Sequence, residues 1–472
     1  MTEALPRSPR ILVLCFDGTS NEYDTNNTNV VKFFALLKKG DRKEQLCFYQ
    51  PGIGTWYEPG VVSPLLRWAA RGLDLAFATY LDTHVIDGYK FLMQNYTAGD
   101  KICIFGFSRG AYTARALGGF VYKVGLLPKD NNAQVQLAYK MYKRTDEEGL
   151  KLCGGFKQTY CQDVEVDFMG VWDTVASAGV LAGRTLPFTT ANSGIKVFRH
   201  ALALDEVKFR SRDGGVNTTY YTQRRAKFRP NNYYAFKKAQ EDKRANTQEI
   251  LREAEVHIDH TAPTRSSTTT SASSGGSIWN FFARSRSPPQ AYGQHNFKQR
   301  ARKPVFVSPA DTNDVREVWF VGCHGDIGGG SVPNQESSCL SNISLRWMVH
   351  EVIAADCGIK FDPAALERAK INNSPEPSKL ERELDNADAL RSRHCQLKKS
   401  KTWWILELMP LHYSWQDPDG VWHRDLSIHM GHGRKIGQAQ PLFHSTVKTR
   451  MESNLGYSPK AKWTAGSEVY VL

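Results

Sequence analysis

A serine between two glycines is the residue of this chain most clearly suited to covalent chemistry. Gly106, Ser108 and Gly110 form the pattern Gly-x-Ser-x-Gly directly after the apolar run 101–105. In a nucleophile elbow, the serine occupies a strained strand-to-helix turn, and small residues two positions away prevent steric clashes. The helix that follows directs its free N–H groups and partial positive charge at the serine, which suits a developing oxyanion. The pattern predicts Ser108 as an acyl-transfer nucleophile; a glycine-rich turn with a capping serine is the alternative.

A serine nucleophile needs a base within hydrogen-bond reach and a carboxylate that orients the base. In α/β-hydrolases the acid and then the histidine follow the serine along the chain. Asp173 and Asp326 both stand at the ends of apolar runs after Ser108, and His444 lies on a short segment after Pro441. Either aspartate is therefore a candidate acid, and His444 is the candidate base.

The oxyanion of such a reaction would be stabilised by two backbone N–H groups. The N–H of Arg109 directly follows the nucleophile, and the loop at Gly18 and Thr19 follows the first apolar run. Asp17 would hold this loop through hydrogen bonds to its own backbone. An ordinary turn closed by the Asp17 side chain is the alternative interpretation.

The elements that must position these residues alternate between strand-like and helix-like patterns. Such alternation predicts a parallel sheet with helices on both faces, and ligands bind at the carboxyl ends of its strands. We therefore expect an α/β fold of the alpha/beta-hydrolase type, with a mostly parallel sheet. Strands are predicted at residues 11–16, 45–49, 101–105, 163–172 and 317–323, and helices at 29–37, 84–96, 199–206 and 340–355.

The hydrolase core is expected to be interrupted by a long insertion. Its first part, residues 8–212, carries the nucleophile, and its second part, residues 305–455, carries the acid and the histidine. Residues 213–304 are charged and of low complexity, and the serine- and threonine-rich stretch 260–290 cannot bury enough apolar surface to order itself. We therefore expect this part of the insertion to be disordered.

The composition supports a globular protein with a basic surface. The 472 residues are 41% hydrophobic, which is enough for a sizeable core. The net charge of +13 indicates a solvated basic surface or a peripheral contact with an anionic membrane surface. Because the sequence contains no nucleic-acid-binding motif, we expect no nucleic-acid partner; the oligomeric state is left open.

The cysteines and apolar runs bear on the cellular compartment. The nine cysteines are scattered, odd in number and without a Cys-x-x-Cys pair, which argues against a disulfide framework or a zinc ribbon. The apolar run 11–16 is too short for a signal peptide, and no run has the length of a membrane span. We therefore expect an intracellular, cytoplasmic protein.

Six motifs in a fixed order resemble those of the DUF2235 family of alpha/beta hydrolases, over about residues 10–450. Bacterial relatives of that family include phospholipase effectors of type VI secretion. The motifs are FDGTSN at 16–21, GFSRGAYTAR at 106–115, GVWDTV at 170–175, HALALDE at 200–206, WFVGCHGDIGGG at 319–330 and LSNISLRWM at 340–348.

The resemblance implies a Ser–Asp–His hydrolase of esters or phospholipids, with phospholipase A activity in characterised relatives and no metal or cofactor. Ser108 corresponds to the family nucleophile. Asp326 corresponds to the aspartate of the motif Gly-x-His-x-Asp-x-Gly-Gly, and His444 to a C-terminal histidine. Asp173 corresponds to a family aspartate that is either the triad acid or a supporting residue, and we count Asp17 and His324 with it as candidate supporting residues.

Two other functions remain open at this point. Asp17, Asp173 and Asp326 are all predicted at carboxyl ends of one sheet, where hard cations find oxygen ligands, so a metal-dependent phosphoesterase is one alternative. A non-catalytic hydrolase-like scaffold, whose basic insertion binds a partner, is the other.

Overall fold

The computed structural model describes most of the predicted core. The predicted insertion 213–304 and Thr19 lie outside the described residues, and the description of 70–80, 411–416 and 422–427 covers the backbone alone. The described residues are 8–18, 21–52, 70–175, 186–189, 194–206, 314–395, 411–416, 422–427, 433–434 and 436–472.

A single eight-stranded sheet organises the described chain. Its strands run parallel in the order β10-β9-β6-β5-β4-β3-β1-β2, while β7 and β8 form a separate antiparallel pair. The predicted α/β fold with a parallel sheet is confirmed. The strands are β1 Ile11–Phe16, β2 Gln45–Gln50, β3 Lys101–Phe107, β4 Val166–Trp172, β5 Ile195–Ala203, β6 Asp314–Phe320, β7 Leu411–Gln416, β8 Trp422–Ser427, β9 Leu442–His444 and β10 Val469–Val471.

Helices cover both faces of the sheet. In β1, alternate side chains enter two different hydrophobic clusters, one packed by α1, α7 and α8 and the other by α2, α3, α4 and α5. Burial on both faces explains why the strands read as continuous apolar runs. The helices are α1 Asn29–Leu36, α2 Ala70–Asn95, α3 Ser108–Val124, α4 Asn132–Lys143, α5 Glu147–Tyr160, α6 His324–Gly328, α7 Ser341–Ala354, α8 Pro363–Ala369, α9 Lys379–Ala389 and α10 Ser445–Met451.

The prediction of a helix at residues 199–206 was wrong. This segment forms most of β5, which runs between β4 and β6 near the centre of the sheet. A short apolar segment buried on both faces has no periodicity that separates a strand from a buried helix. The helix prediction gave no indication that β4 and β6 are separated by only one strand of the sheet.

The sheet extends beyond residue 455, the predicted end of the hydrolase core, because β10 pairs with β9. Among the described helices, none combines the length and the apolar character required to cross a membrane.

Candidate active site

The Gly-x-Ser-x-Gly segment forms a tight turn between β3 and α3. Ser108 begins α3 with φ of 57°, in the left-handed region that non-glycine residues rarely occupy. A Cβ atom on Gly110 would lie 2.2 Å from the carbonyl oxygen of Phe16 and 2.3 Å from that of Asp17. A Cβ atom on Gly106 would lie 2.5 Å from the carbonyl oxygen of Gly110. The glycines therefore allow α3 to approach the end of β1, and the strained turn carries the serine, as in a nucleophile elbow.

His324 is the hydrogen-bond partner of this serine. Its Nε2 lies 2.9 Å from Ser108 Oγ, and its Nδ1 lies 2.7 Å from Asp173 Oδ2. An ionised carboxylate only accepts hydrogen bonds, so we assign the imidazole proton to Nδ1, which leaves Nε2 to accept the serine proton. The three side chains thus form one chain of hydrogen bonds from Ser108 through His324 to Asp173, in the order that a serine-hydrolase triad requires.

The sheet order explains this meeting. Ser108 follows β3, Asp173 follows β4 and His324 follows β6 after a short turn, so all three lie at the carboxyl edge of the sheet. The turn before His324 contains Gly322 at φ of 115°, whose N–H donates to Asp205 Oδ2 at 2.8 Å. This fixed turn directs the imidazole toward Ser108.

Asp173 is fully buried and held by an arginine. Arg434 Nη1 donates to Oδ1 at 2.7 Å and Nη2 to Oδ2 at 2.9 Å, and the Ala203 N–H donates to Oδ1 at 3.2 Å. Burial opposes the charge of this carboxylate, but Arg434 and His324 outweigh burial and lower the pKa of Asp173. The candidate acid is therefore held in its ionised form.

The electrostatics of His324 favour a base that can become charged. Burial disfavours the imidazolium, yet the hydrogen bond and charge of Asp173, together with the charge of Glu206, raise the pKa of His324. The His324 side chain is 21% exposed whereas Asp173 is 0% exposed. The imidazole thus connects a buried acid to the accessible side of the site.

Asp326 occupies a structural position in the first turn of α6. Its Oδ2 accepts the N–H of Cys323 at 2.9 Å, and its Oδ1 lies 2.7 Å from His394 Nδ1. The carboxylate forms a capping box, in which a side chain satisfies a free N–H at the helix start. The structure therefore does not bring Asp326 into hydrogen-bond contact with Ser108 or with the His324 imidazole.

His444 is also separate from the serine. It caps the N-terminus of α10, where its Nδ1 lies 2.8 Å from Thr446 Oγ1, and its ring stacks on Phe320 with centroids 4.9 Å apart. Burial, aided by the charge of Arg346, lowers the pKa of His444 to about 3. These contacts are those of a neutral histidine in the core. They differ from the contact with Ser108 that the predicted triad requires.

The predicted oxyanion loop is only partly described. The Gly18 N–H donates to Asp17 Oδ1 at 2.7 Å, so this N–H is already engaged. Asp17 also accepts from the hydroxyls of Thr28 and Tyr49, both at 2.9 Å, and burial raises the pKa of Asp17 to about 6. Arg109, the residue after the nucleophile, is buried in the first turn of α3. Asp17 thus ties the end of β1 to neighbouring elements.

The described residues give no support to a metal centre. Within these residues, no group of three or more histidine, cysteine, aspartate or glutamate side chains could hold a metal ion. Asp17, Asp173 and Asp326 each engage separate sets of protein donors.

Comparison with known proteins identifies the family. A family model described as "T6SS, Phospholipase effector Tle1-like, catalytic domain" matches residues 10–351. The chain belongs to this family. The resemblance to phospholipase effectors read from the sequence motifs is confirmed, and membership places the chain among domains of lipid hydrolases.

Three similar proteins match different shares of this chain. The uncharacterized protein YEL023C of Saccharomyces cerevisiae is 27% identical over 550 residues, covering 96% of this chain and 80% of that protein. A crystal structure of an uncharacterized protein from Pseudomonas aeruginosa matches at 15% identity and a TM-score of 0.33, covering 83% of this chain and 52% of that one. The Tle1 effector bound to the VgrG spike from the Type 6 secretion system matches at 18% identity and a TM-score of 0.23, covering 43% of this chain and 47% of that one. The chain thus spans about half the length of these two solved proteins.

Proposed function

We propose that this protein is a serine hydrolase that cleaves carboxylic esters, with Ser108 as nucleophile, His324 as general base and Asp173 as the orienting acid. The hydrogen-bond chain from Ser108 Oγ through both nitrogens of His324 to Asp173 carries the proposal. Family membership supports a lipid ester as the substrate. This assignment replaces His444 and Asp326 of the sequence-based triad with His324 and Asp173.

The reaction would proceed through an acyl-enzyme. His324 Nε2 takes the proton of Ser108 as Oγ attacks the ester carbonyl carbon, and Asp173 stabilises the resulting imidazolium. His324 then returns the proton to the departing alcohol oxygen. A water molecule, deprotonated by the same imidazole, attacks the acyl carbon and releases the acid with restored Ser108. The backbone N–H of Arg109 is the proposed first donor to the oxyanion.

A phospholipid with an ester-linked acyl chain is the substrate class that we favour, cleaved as by a phospholipase A. The family description supports this class. The net charge of +13 supports a peripheral contact with anionic lipid surfaces, where such substrates are presented.

The test is labelling of the protein with a fluorophosphonate, which reacts only with an activated serine. We expect wild type to be labelled and to hydrolyse phospholipid vesicles, and Ser108→Ala to lose both properties while remaining folded. Ser467→Ala is the matched control, because Ser467 is a partly exposed serine bonded within its own turn to the Thr464 carbonyl. It should behave as wild type.

Two outcomes would contradict the proposal. Hydrolysis that survives in Ser108→Ala, is lost on chelation and is insensitive to fluorophosphonate would favour the metal-dependent phosphoesterase. Folded wild-type protein that is neither labelled nor active on a broad panel of esters would favour the non-catalytic scaffold.

A further inference from the structure

A second buried carboxylate stands beside the His324 turn. Glu206 Oε2 accepts the backbone N–H of His324 at 2.8 Å, and Glu206 is 4% exposed. We propose that Glu206 is a positioning residue for His324 and that its carboxylate supplies a second negative charge beside the imidazole, in addition to the Asp173 charge that is shared with Arg434. This inference rests on the proposed hydrolase function and extends it to a residue outside the triad.

Asp173 is paired with a cation as well as with His324. In the serine-hydrolase triad, the acid's charge stabilises the imidazolium that forms during the reaction. Here both oxygens of Asp173 also accept hydrogen bonds from Arg434, a buried guanidinium. A cation at this distance offsets part of the carboxylate's field. Asp173 therefore orients His324 while sharing its charge between His324 and Arg434.

Charge separates in the buried group during the reaction. Before the reaction, ionised Asp173 and Arg434 carry opposite charges, and His324 is neutral. When His324 takes the serine proton, the imidazolium becomes positive while the oxyanion on the substrate carries the matching negative charge. A buried charge is costly unless it has a partner close by. Ionised Glu206 supplies a counter-charge beside the imidazolium when it forms.

Charged groups on several elements face His324. Asp173 after β4 and Glu206 after β5 both raise the pKa of His324, whereas Arg109 in α3 lowers it. Arg109 therefore increases the need for a second carboxylate. The Phe107 ring lies 4.7 Å from the imidazole and contributes no charge.

Glu206 itself is held near the point of ionisation. Burial raises the pKa of Glu206 to about 7, although Arg434 and His324 pull the pKa down. The neighbouring carboxylate Asp173 raises the pKa, and the His324 N–H bond lowers it. Near neutral pH, a small change in these neighbours shifts the ionised fraction of Glu206. Activity should therefore fall on acidification through loss of the Glu206 charge as well as through protonation of His324.

The deciding experiment is the pH dependence of kcat/KM for Glu206→Gln. Glutamine keeps the size of the side chain and an oxygen that accepts the His324 N–H, but it removes the charge. We expect kcat/KM to fall about tenfold and the acidic limb of the profile to move down by about one pH unit, since one pKa unit corresponds to a factor of ten. A role limited to hydrogen bonding would leave both quantities unchanged in this variant.

Arg434→Gln provides the opposing arm. Removing the cation leaves the charge of Asp173 without its offset, so the acidic limb of the profile should move to higher pH. In the double variant, which combines Arg434→Gln with Glu206→Gln, the acidic limb should return toward the wild-type position. Because Arg434→Gln leaves a buried carboxylate without its partner, its folding is checked by thermal unfolding, and Arg434→Lys, which retains the cation, serves as the conservative variant.

A second readout does not require turnover. In the Ser108→Ala background, NMR titration of the His324 imidazole should show a lower pKa when Glu206 is replaced by glutamine. An unchanged His324 pKa and an unchanged profile would overturn the role of Glu206 while leaving the proposed hydrolase intact. Absent labelling and hydrolysis in wild type would instead reject the hydrolase, and the titration would still test the coupling between Glu206 and His324.

Discussion

Replacing His324 with alanine is expected to lower kcat/KM for ester hydrolysis by about a thousandfold or more, the usual scale for loss of a triad member. The reason is that His324 Nε2 lies 2.9 Å from Ser108 Oγ, where it can take the serine proton. Steady-state kinetics on a soluble ester, with folding checked by circular dichroism, measures the effect. Fluorophosphonate labelling of Ser108 should slow in parallel.

His444→Gln is the informative partner of that variant. An amide can still accept a hydrogen bond at the start of α10, where the His444 ring is bonded to the hydroxyl and the N–H of Thr446. We expect kcat/KM to stay within about threefold of wild type, with a modest loss of stability from the weakened ring stacking on Phe320. If instead His444→Gln were inactive and His324→Ala active, the triad derived from the sequence would be right and our assignment would fail.

Gly110→Ala is expected to destabilise the protein by about 3 kcal/mol or more, at the upper end of the cost of overpacking. The added methyl group would meet two backbone carbonyl oxygens at the end of β1, which have no rotamer by which to move away. Relief would require α3 to withdraw from the sheet, and this movement would also displace Ser108. Urea unfolding followed by circular dichroism measures the loss, and labelling of Ser108 should fall with it.

Gly154→Ala tests the same substitution without the clash. Gly154 also lies inside a helix, α5, but a Cβ atom there would meet nothing within 4 Å. Alanine should stabilise that helix by about 0.5–1 kcal/mol, because glycine in a helix interior costs this amount. Equal stability changes for the two variants would show that the close approach at Gly110 does not constrain the fold.

Much of the fold was readable from the sequence. Strands buried on both faces leave apolar runs of limited length, and the helices between them carry their own periodicity, so the parallel sheet followed directly. The nucleophile turn was equally visible, because its glycines stand at fixed positions around Ser108. What the sequence concealed was β5, since a doubly buried strand carries no alternating pattern.

The partners of Ser108 were harder to predict for the same reason. His324 and Asp173 meet because β5 brings the ends of β4 and β6 within reach across one strand, and the sequence motif itself gave no sign of which aspartate or histidine would be used. Asp326 stood in a suggestive motif, yet its carboxylate serves the backbone of its own helix. No sequence pattern indicated the role of Arg434, because this arginine contacts Asp173 from 261 positions away in the sequence.

The position of β9 has a consequence for anyone who trims this protein. The family match ends at residue 351, and residues 10–351 contain all three members of the proposed triad. Yet β9, at Leu442–His444, pairs along β6, the strand that leads to His324. A fragment ending at 351 would leave β6 as an open edge, with unpaired N–H and C=O groups that invite pairing with another chain. Such a fragment would be prone to self-association, so a useful expression boundary must lie beyond the last strand of the sheet.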